Sequence, residues 1–267
     1  MIESTSNTGV KLVIGLNQKS KTRKKENAFV VEGPRMTFET PVSLLKRVYF
    51  SESFSMTDEE KEALHKFKAK GIFVEEVSEK VMKAMSDTIT PQGILAVVER
   101  PSYELDDLLG RDDSQAPMVL VMETIQDPGN LGTMFRTAEG AGCSGIVMTK
   151  DTVDLFSPKV VRSTMGSLYR MPFYVTEDLG ETISYLKEKS LRFYAAALDG
   201  KQSYDRFDYS GPCGFLIGNE GNGLSKEAMD FADDKLIIPM SGQLESLNAA
   251  MAAGILMYEG ARQRRKK

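Results

Sequence analysis

From residue 118 onward the chain repeats one pattern: a short, continuously apolar run, then a helical stretch. The runs are MVLVMET, GIVMT, FYAAAL, GFLIG and KLIIPM. Strands that are apolar without alternation are those buried on both faces of a parallel sheet. Strand and helix in regular succession therefore predict an α/β fold built on a parallel sheet with helices on its faces. In such a sheet ligands bind in the loops at the carboxyl ends of the strands.

Three of those loops carry unusual residues. The first lies in ETIQDPGNLGTMFRTAEGAG (123–142). There Asp127, Pro128 and Gly129 read as a turn, Asn130 as the cap of the helix that follows, and Arg136 as a residue not quite two turns further on. The second, FLIGNEGNGLS (215–225), sets Gly218, Gly221 and Gly223 directly after an apolar strand. Glycines there allow close approach to the backbone, Glu220 and Asn222 offer side-chain hydrogen bonds, and Ser225 can start a helix. The third, IIPMSGQLESLNAAMAAGILMYE (237–259), ends a strand at Pro239 and begins the last helix at Ser246, Leu247 and Asn248. Ser246 is a possible N-cap, and Asn248 is expected one turn in, where a polar residue needs another reason. Leu247, Ala250, Met251, Gly254, Ile255 and Tyr258 share one helical face, whose small members suit close packing or dimer contact.

Glycine-rich loops also raise a nucleotide-binding oxidoreductase. The spacing at 218–223 is GxxGxG, which is neither the dinucleotide nor the P-loop fingerprint. A true GxGxxG at Gly140, Gly142 and Gly145 follows a helix and precedes a strand, the reverse of the order that a dinucleotide site requires.

Composition narrows the chemistry. His65 is the only histidine and lies in TDEEKEALHKFKAKG, a polar helix, which disfavours a histidine base or metal cluster. Cys143 and Cys213 are the only cysteines and have no CxxC spacing, as expected of a reduced, cytoplasmic protein without structural zinc. No apolar run has the length of a membrane span, and the N-terminus, with its short stretch Val10 to Leu16, does not read as a signal peptide. The net charge of −4 argues against nucleic acid, but positive charge is gathered in two places. Lys19, Lys21, Arg23, Lys24 and Lys25 form one cluster, and Arg262, Arg264, Arg265, Lys266 and Lys267 the other. Such clusters can engage phosphates locally while an acidic remainder discourages indiscriminate binding.

A chain of 267 residues accommodates two domains. Residues 1–100 read as a small α/β domain, with strands at AFVVEG and near 46–51, 72–76 and 93–99, and helices starting at Thr57 and in SEKVMKAM. PSYELDDLLGRDDSQAP (101–117) reads as a linker, and residues 118–267 form the second domain.

The segments NLGTMFRTAEGAG, IGNEGNGLS and IPMSGQLESLNAAMAAGILMYE resemble the three motifs of the SpoU (TrmH-like) branch of the SPOUT methyltransferases, which act on tRNA or ribosomal RNA. SPKVVRSTMGSLYRMPF (157–173) is similar to the stretch between the first two motifs, and the likeness spans about residues 118–262. The N-terminal half, with KSKTRKKENAFVVEGPR and QGILAV, is similar to the ribosomal-protein-like substrate-binding domain often attached to that family. The resemblance implies a deep C-terminal trefoil knot, S-adenosylmethionine as cofactor, a homodimer, and an RNA substrate, ribosomal ahead of transfer RNA; no membrane partner and no metal are expected from the composition. Carried over by position, it implies that Gly218, Ile238 and Leu247 contact the cofactor, with Met240 and Leu198 nearby. Asn130, Arg136, Glu220, Ser246 and Asn248 would line the reaction site.

The implied reaction is methyl transfer to a ribose 2′-hydroxyl. In that family the first motif's arginine is held to take the hydroxyl proton, yet a guanidinium keeps its own proton in proteins. The reading preferred here makes Arg136 an electrostatic partner of the ribose oxygen or adjacent phosphate. A catalytically silent RNA-binding protein of the same fold is the alternative, and absence of methyl transfer would identify it.

Overall fold

The computed structural model describes residues 1–110, 115–243 and 246–265. The chain forms two compact units, Met1–Pro101 with Phe156–Tyr169, and Ser102–Leu155 with Arg170–Lys267.

The first unit opens with two helices, α1 (Thr8–Gln18) and α2 (Ser20–Glu26). The apolar stretch at 10–16 is the buried face of α1: Val10, Val13 and Leu16 recur once per turn and are fully buried. There follow β1 (Ala28–Glu32), α3 (Pro34–Glu39), β2 (Leu45–Ser51), α4 (Asp58–Ala69), β3 (Phe73–Val77), α5 (Glu79–Met85) and β4 (Ile94–Glu99). The sheet order is β1-β4-β2-β3, with β4 antiparallel to both neighbours and β2 parallel to β3. Thr57 starts α4 through a reciprocal capping box with Glu60, as its sequence predicts.

The second unit holds β5 (Met118–Met122), α6 (Pro128–Ala141) and β6 (Gly145–Thr149). The next helix, α7 (Pro158–Thr164), belongs to the first unit and packs on β1. Phe156 stacks obliquely on Phe29 at 5.0 Å, and the Arg100 guanidinium lies 4.4 Å over the Phe156 ring. The chain then returns to the second unit through β7 (Phe173–Thr176), α8 (Leu179–Glu188), β8 (Arg192–Ala196), β9 (Gln202–Ser203), β10 (Cys213–Ile217), α9 (Lys226–Asp230), β11 (Asp234–Ile237) and α10 (Ala249–Arg264).

The second sheet is parallel throughout, in the order β7-β6-β5-β10-β8-β11-β9. All five expected strands are present, and β7 and the short β9 add two that the apolar pattern did not single out. Of the segment expected as a linker, residues 102–110 belong to this unit, with Leu108 fully buried against Gly145, while residues 111–114 lie outside the described set. The GxGxxG match is resolved locally. Gly140 is helical, Gly142 ends α6 in a left-handed conformation, and at Gly145 a side chain would collide with Leu108.

The basic clusters are less exposed than expected. Arg23 is 5% exposed and donates to the carbonyls of Leu16 and Asn17, so it closes the C-terminus of α1 and does not face solvent. Arg264 donates to the carbonyls of Tyr209, Gly211, Ala116 and Pro117, and Arg262 is paired with Glu259. Lys266 and Lys267 lie outside the described residues. Among the described residues of the two clusters, Lys19, Lys21, Lys24 and Lys25 are exposed at one place and Arg262 and Arg265 at the other.

Candidate active site at the carboxyl ends of the parallel strands

The loops that follow β5, β10 and β11 meet at one edge of the second sheet. After β5 the backbone turns through Thr124, whose φ of 55° is rare for a β-branched residue. Three bonds hold it there: its N–H donates to Thr149 Oγ1 at 2.9 Å, and its carbonyl accepts from Asn219 Nδ2 at 2.8 Å and from Gln126 Nε2 at 3.4 Å. The helix then starts one turn earlier than the sequence reading had it. Pro128, which has no N–H to lose, occupies the first turn, and Asp127 is the cap, accepting from the Asn130 N–H at 2.8 Å. Asn130 is not the cap, and its side chain is free for other partners.

After β10 the chain folds back on itself. Asn219 and Gly223 exchange both backbone hydrogen bonds, Gly223 sits at φ 68°, and any side chain at Gly218 would run into the backbone of Gly223 and Leu224. The glycines thus serve a tight loop whose own backbone makes the close approach. This hairpin carries Glu220 to the N-terminus of α6, where its carboxylate accepts from the N–H groups of Gln126 and Asp127, each at 3.3 Å, and from Asn130 Nδ2 at 2.9 Å. Burial alone would raise the Glu220 carboxyl, but the hydrogen bonds from Asn130 and the backbone outweigh it and hold it below the ordinary carboxylate value.

The third loop ends in a cap that the sequence assigned elsewhere. Asn248, expected inside the helix, is its N-cap and accepts from the N–H groups of Ala250 and Met251 at 3.0 and 3.2 Å, so Ser246 lies before the cap. With its oxygen committed to the helix, Asn248 turns its Nδ2 to Asn130 Oδ1 at 2.9 Å. One polar chain therefore runs from Glu220 through Asn130 to Asn248, and both amide orientations in it are fixed by their partners.

Beside this chain lies a cavity of about 300 Å³, at the lower end of the usual range for small-molecule sites. Its wall includes Leu198, Gly218, Ile238, Met240 and Leu247, together with Glu220 and Ser246. Arg136 stands apart. It is exposed, lines no part of this cavity, and among the described residues no hydrogen bond or ion pair engages it. Ideal helix geometry puts it about 9 Å along α6 from Asn130 and about 120° around the axis.

The last helix buries Ala249, Ala250, Ala253, Leu256, Met257 and Gly260 in its own unit, a different face from the one expected. Gly260 fits there because any side chain would strike Met118. Of the expected face, Met251 and Tyr258 are 61% and 50% exposed.

Sequence reasoning passed over Asn219 and Glu123. Asn219 braces Thr124 with its amide and accepts from the N–H groups of Gly221 and Asn222, and Glu123 accepts from the backbone and hydroxyl of Ser225. The signal was present for Asn219, which adjoins Glu220 in the same motif. Among the described residues no group of His, Cys, Asp and Glu is arranged to hold a metal ion, and no helix is long and apolar enough to cross a membrane.

Residues 117–258 match the profile of the SpoU rRNA Methylase family, and residues 7–96 match an MRM3-like substrate binding domain. The chain is 35% identical over 257 residues to the Bacillus subtilis 23S rRNA (guanosine(2553)-2′-O)-methyltransferase RlmP, covering 96% of this chain and 97% of that protein. It is 30% identical to human mitochondrial rRNA methyltransferase 3, over 91% of this chain and 69% of that one. Among solved structures, the AdoMet-bound rRNA methyltransferase from Sinorhizobium meliloti superposes with a TM-score of 0.87 at 30% identity, over 98% of this chain and 97% of that one. The AdoMet complex of the SpoU methyltransferase AviRb from Streptomyces viridochromogenes gives 0.84 at 25% identity, covering 97% and 99%. With the loops after β10 and β11 lining one cavity, and with relatives matched almost from end to end, the chain belongs to the SpoU rRNA methylase family.

Proposed function

We propose that this protein transfers a methyl group from S-adenosylmethionine to a ribose 2′-hydroxyl of ribosomal RNA, working as a cytoplasmic homodimer. The observation that carries the reading is the Glu220–Asn130–Asn248 chain beside an apolar cavity, at the sheet edge where an α/β fold binds ligands. The substrate follows from relatives named as rRNA 2′-O-methyltransferases.

The cavity fits the cofactor in kind. Its wall is apolar at Leu198, Ile238, Met240 and Leu247, as a nucleobase requires, and backbone groups of the Gly218 loop supply polar contacts. Those residues would hold the cofactor, which supplies an electrophilic methyl on a sulfonium. The rest of the task is alignment of the ribose oxygen and stabilisation of its developing charge. Asn130, held between two partners, gives the site a fixed wall. Glu220 stays ionised at neutral pH and keeps α6 and the β10 loop together. Arg136, with its donor fork uncommitted in the chain, is suited to the ribose oxygen or an adjacent phosphate, while its high pKa makes it a poor base.

Two further parts of the reading have structural support. The half-exposed Met251 and Tyr258 lie on the small-residue face of α10, which supports a partner subunit there. The knot is supported by α10 running back from β11 to pack on β5, β10 and α6.

Methylation of in vitro transcribed ribosomal RNA, followed by mapping of 2′-O-methyl positions, tests the activity. A protein that binds the cofactor and the RNA but leaves no methyl mark would be the silent RNA-binding alternative. Light scattering at micromolar concentration tests the dimer, and a monomer would overturn that part.

A further inference from the structure

The loop between α5 and β4, SDTITPQ (86–92), does more in the first unit than join two elements. Its tip residue Ile89 is 98% exposed, the most exposed of the large apolar side chains in the described protein. A side chain so placed gains nothing from the fold, and a loose loop would need no further account. This loop is built with care. The Glu32 carboxylate, at the end of β1, accepts from the hydroxyls of Ser86 and Thr88 and from the Asp87 N–H. The Ser86 hydroxyl also accepts from the Thr88 N–H at 3.1 Å. Asp87 is pinned to Arg162 of α7 at 2.8 Å, and Gly93 closes the loop at φ 79° against Phe54 and Ser51. The backbone is thus fixed on both sides of an isoleucine aimed at solvent.

Chemistry next to the tip favours one occupant. Thr90 and Gln92 are exposed, so a hydroxyl and an amide able to both donate and accept flank the apolar tip. Arg162, with Lys159 one turn before it on α7 and exposed, puts cations beside the loop. A single isoleucine ringed by polar groups is too small for the buried apolar centre of a protein interface. It is well sized to pack on, or wedge beside, one unstacked base. The loop also falls within the residues matched to a substrate-binding domain.

We propose that the Ser86–Gln92 loop is a base-reading element of the first unit, with Ile89 packing against an unstacked base of the RNA substrate and Thr90 and Gln92 facing its edges. The proposal rests on the RNA methyltransferase reading above. The full-length protein is tested by filter binding and single-turnover methylation on in vitro transcribed ribosomal RNA, comparing wild type, Ile89→Ser and Ile89→Met. Ile89→Ser is expected to weaken RNA binding about tenfold, the scale of one lost base contact. The salt dependence should keep its slope, because no phosphate contact is removed. Ile89→Met should retain most of the affinity, and the unfolding midpoint should be the same in all three. Equal affinity of Ile89→Ser and wild type would overturn the proposal, as would a loss that Ile89→Met shares in full. Failure of the wild type to methylate the RNA at all would instead overturn the functional reading.

Discussion

The side-chain amide of Asn248 donates to that of Asn130 across 2.9 Å, joining the cap of the last helix to the first turn of α6 over 118 positions of sequence. Because each amide has a second fixed partner, the two should act as a unit. Asn130→Ala and Asn248→Ala are each expected to reduce turnover, and the double variant should lose less than the two losses combined. A double-mutant cycle on single-turnover rates should give a coupling of about 1 kcal/mol, within the usual range for residues in one network. Additive losses would separate the two residues functionally.

Arg136 has no partner among the described residues, so its removal disturbs no bond of the fold. Arg136→Ala should lower the single-turnover rate on the order of a hundredfold, the scale for loss of one stabiliser of transition-state charge. Cofactor affinity by calorimetry and the unfolding midpoint should stay where they are. Arg136→Lys should restore little, because an ammonium does not reproduce the planar fork. A normal rate would remove Arg136 from the site.

Thr124 keeps a left-handed backbone under three hydrogen bonds, each made by its main chain. Asparagine tolerates that conformation better, so Thr124→Asn should raise stability by about 0.5–1 kcal/mol while leaving those bonds in place. Denaturant unfolding checks this, and a destabilised variant would mean that the threonine side chain contributes something the backbone does not.

Glu220 is held below the ordinary carboxylate value, so the folded state favours its ionised form. Its contribution is present above the unfolded pKa and is lost as the pH falls through the lower, folded one. The site should therefore stay assembled through the pH range of ordinary carboxylates, about 4.3 for a free glutamate, and loosen only below it. Glu220→Gln should abolish that acid limb. Cofactor binding followed from pH 7 downward in both proteins tests the difference, and identical profiles would assign the limb to another group.

The basic run at 19–25 divides into two roles. Replacing Lys19, Lys21, Lys24 and Lys25 with neutral residues should weaken RNA binding and flatten its salt dependence without touching stability. Arg23→Ala should instead destabilise the first unit by about 1–3 kcal/mol, because the carbonyls at the end of α1 would lose a charged donor. Unchanged RNA affinity in the lysine variant would exclude the run as a phosphate contact.

The parallel sheet was readable from the sequence because its central strands β5, β6 and β10 are buried on both faces, so each appears as an unbroken apolar word between helices. β7 escaped because Phe173–Thr176 is short and buried only at its two ends, and β9 because two residues carry no pattern. The motifs named Glu220, Asn130 and Asn248 but misplaced two caps. Asp127 and Asn248 both have cap chemistry, and the choice among neighbouring candidates depends on where the first helical N–H groups point, which the sequence does not state. The same blindness covered Arg23 and Arg264, since the letters of a basic run do not say which cations turn inward toward helix-end carbonyls.

The membership of α7 in the first unit has a consequence for synthesis. Phe156, which covers Phe29, and Tyr169, whose hydroxyl lies 2.8 Å from that of Thr40, are made long after the strands and helices they complete. Nascent chains fold from the N-terminus as domains emerge. Here the N-terminal sheet must wait, with part of β1 uncovered, until residue 169 has left the ribosome. A truncation after Pro101 would leave that surface bare for good, so a fragment cut where the sequence suggests a boundary lacks part of its own core.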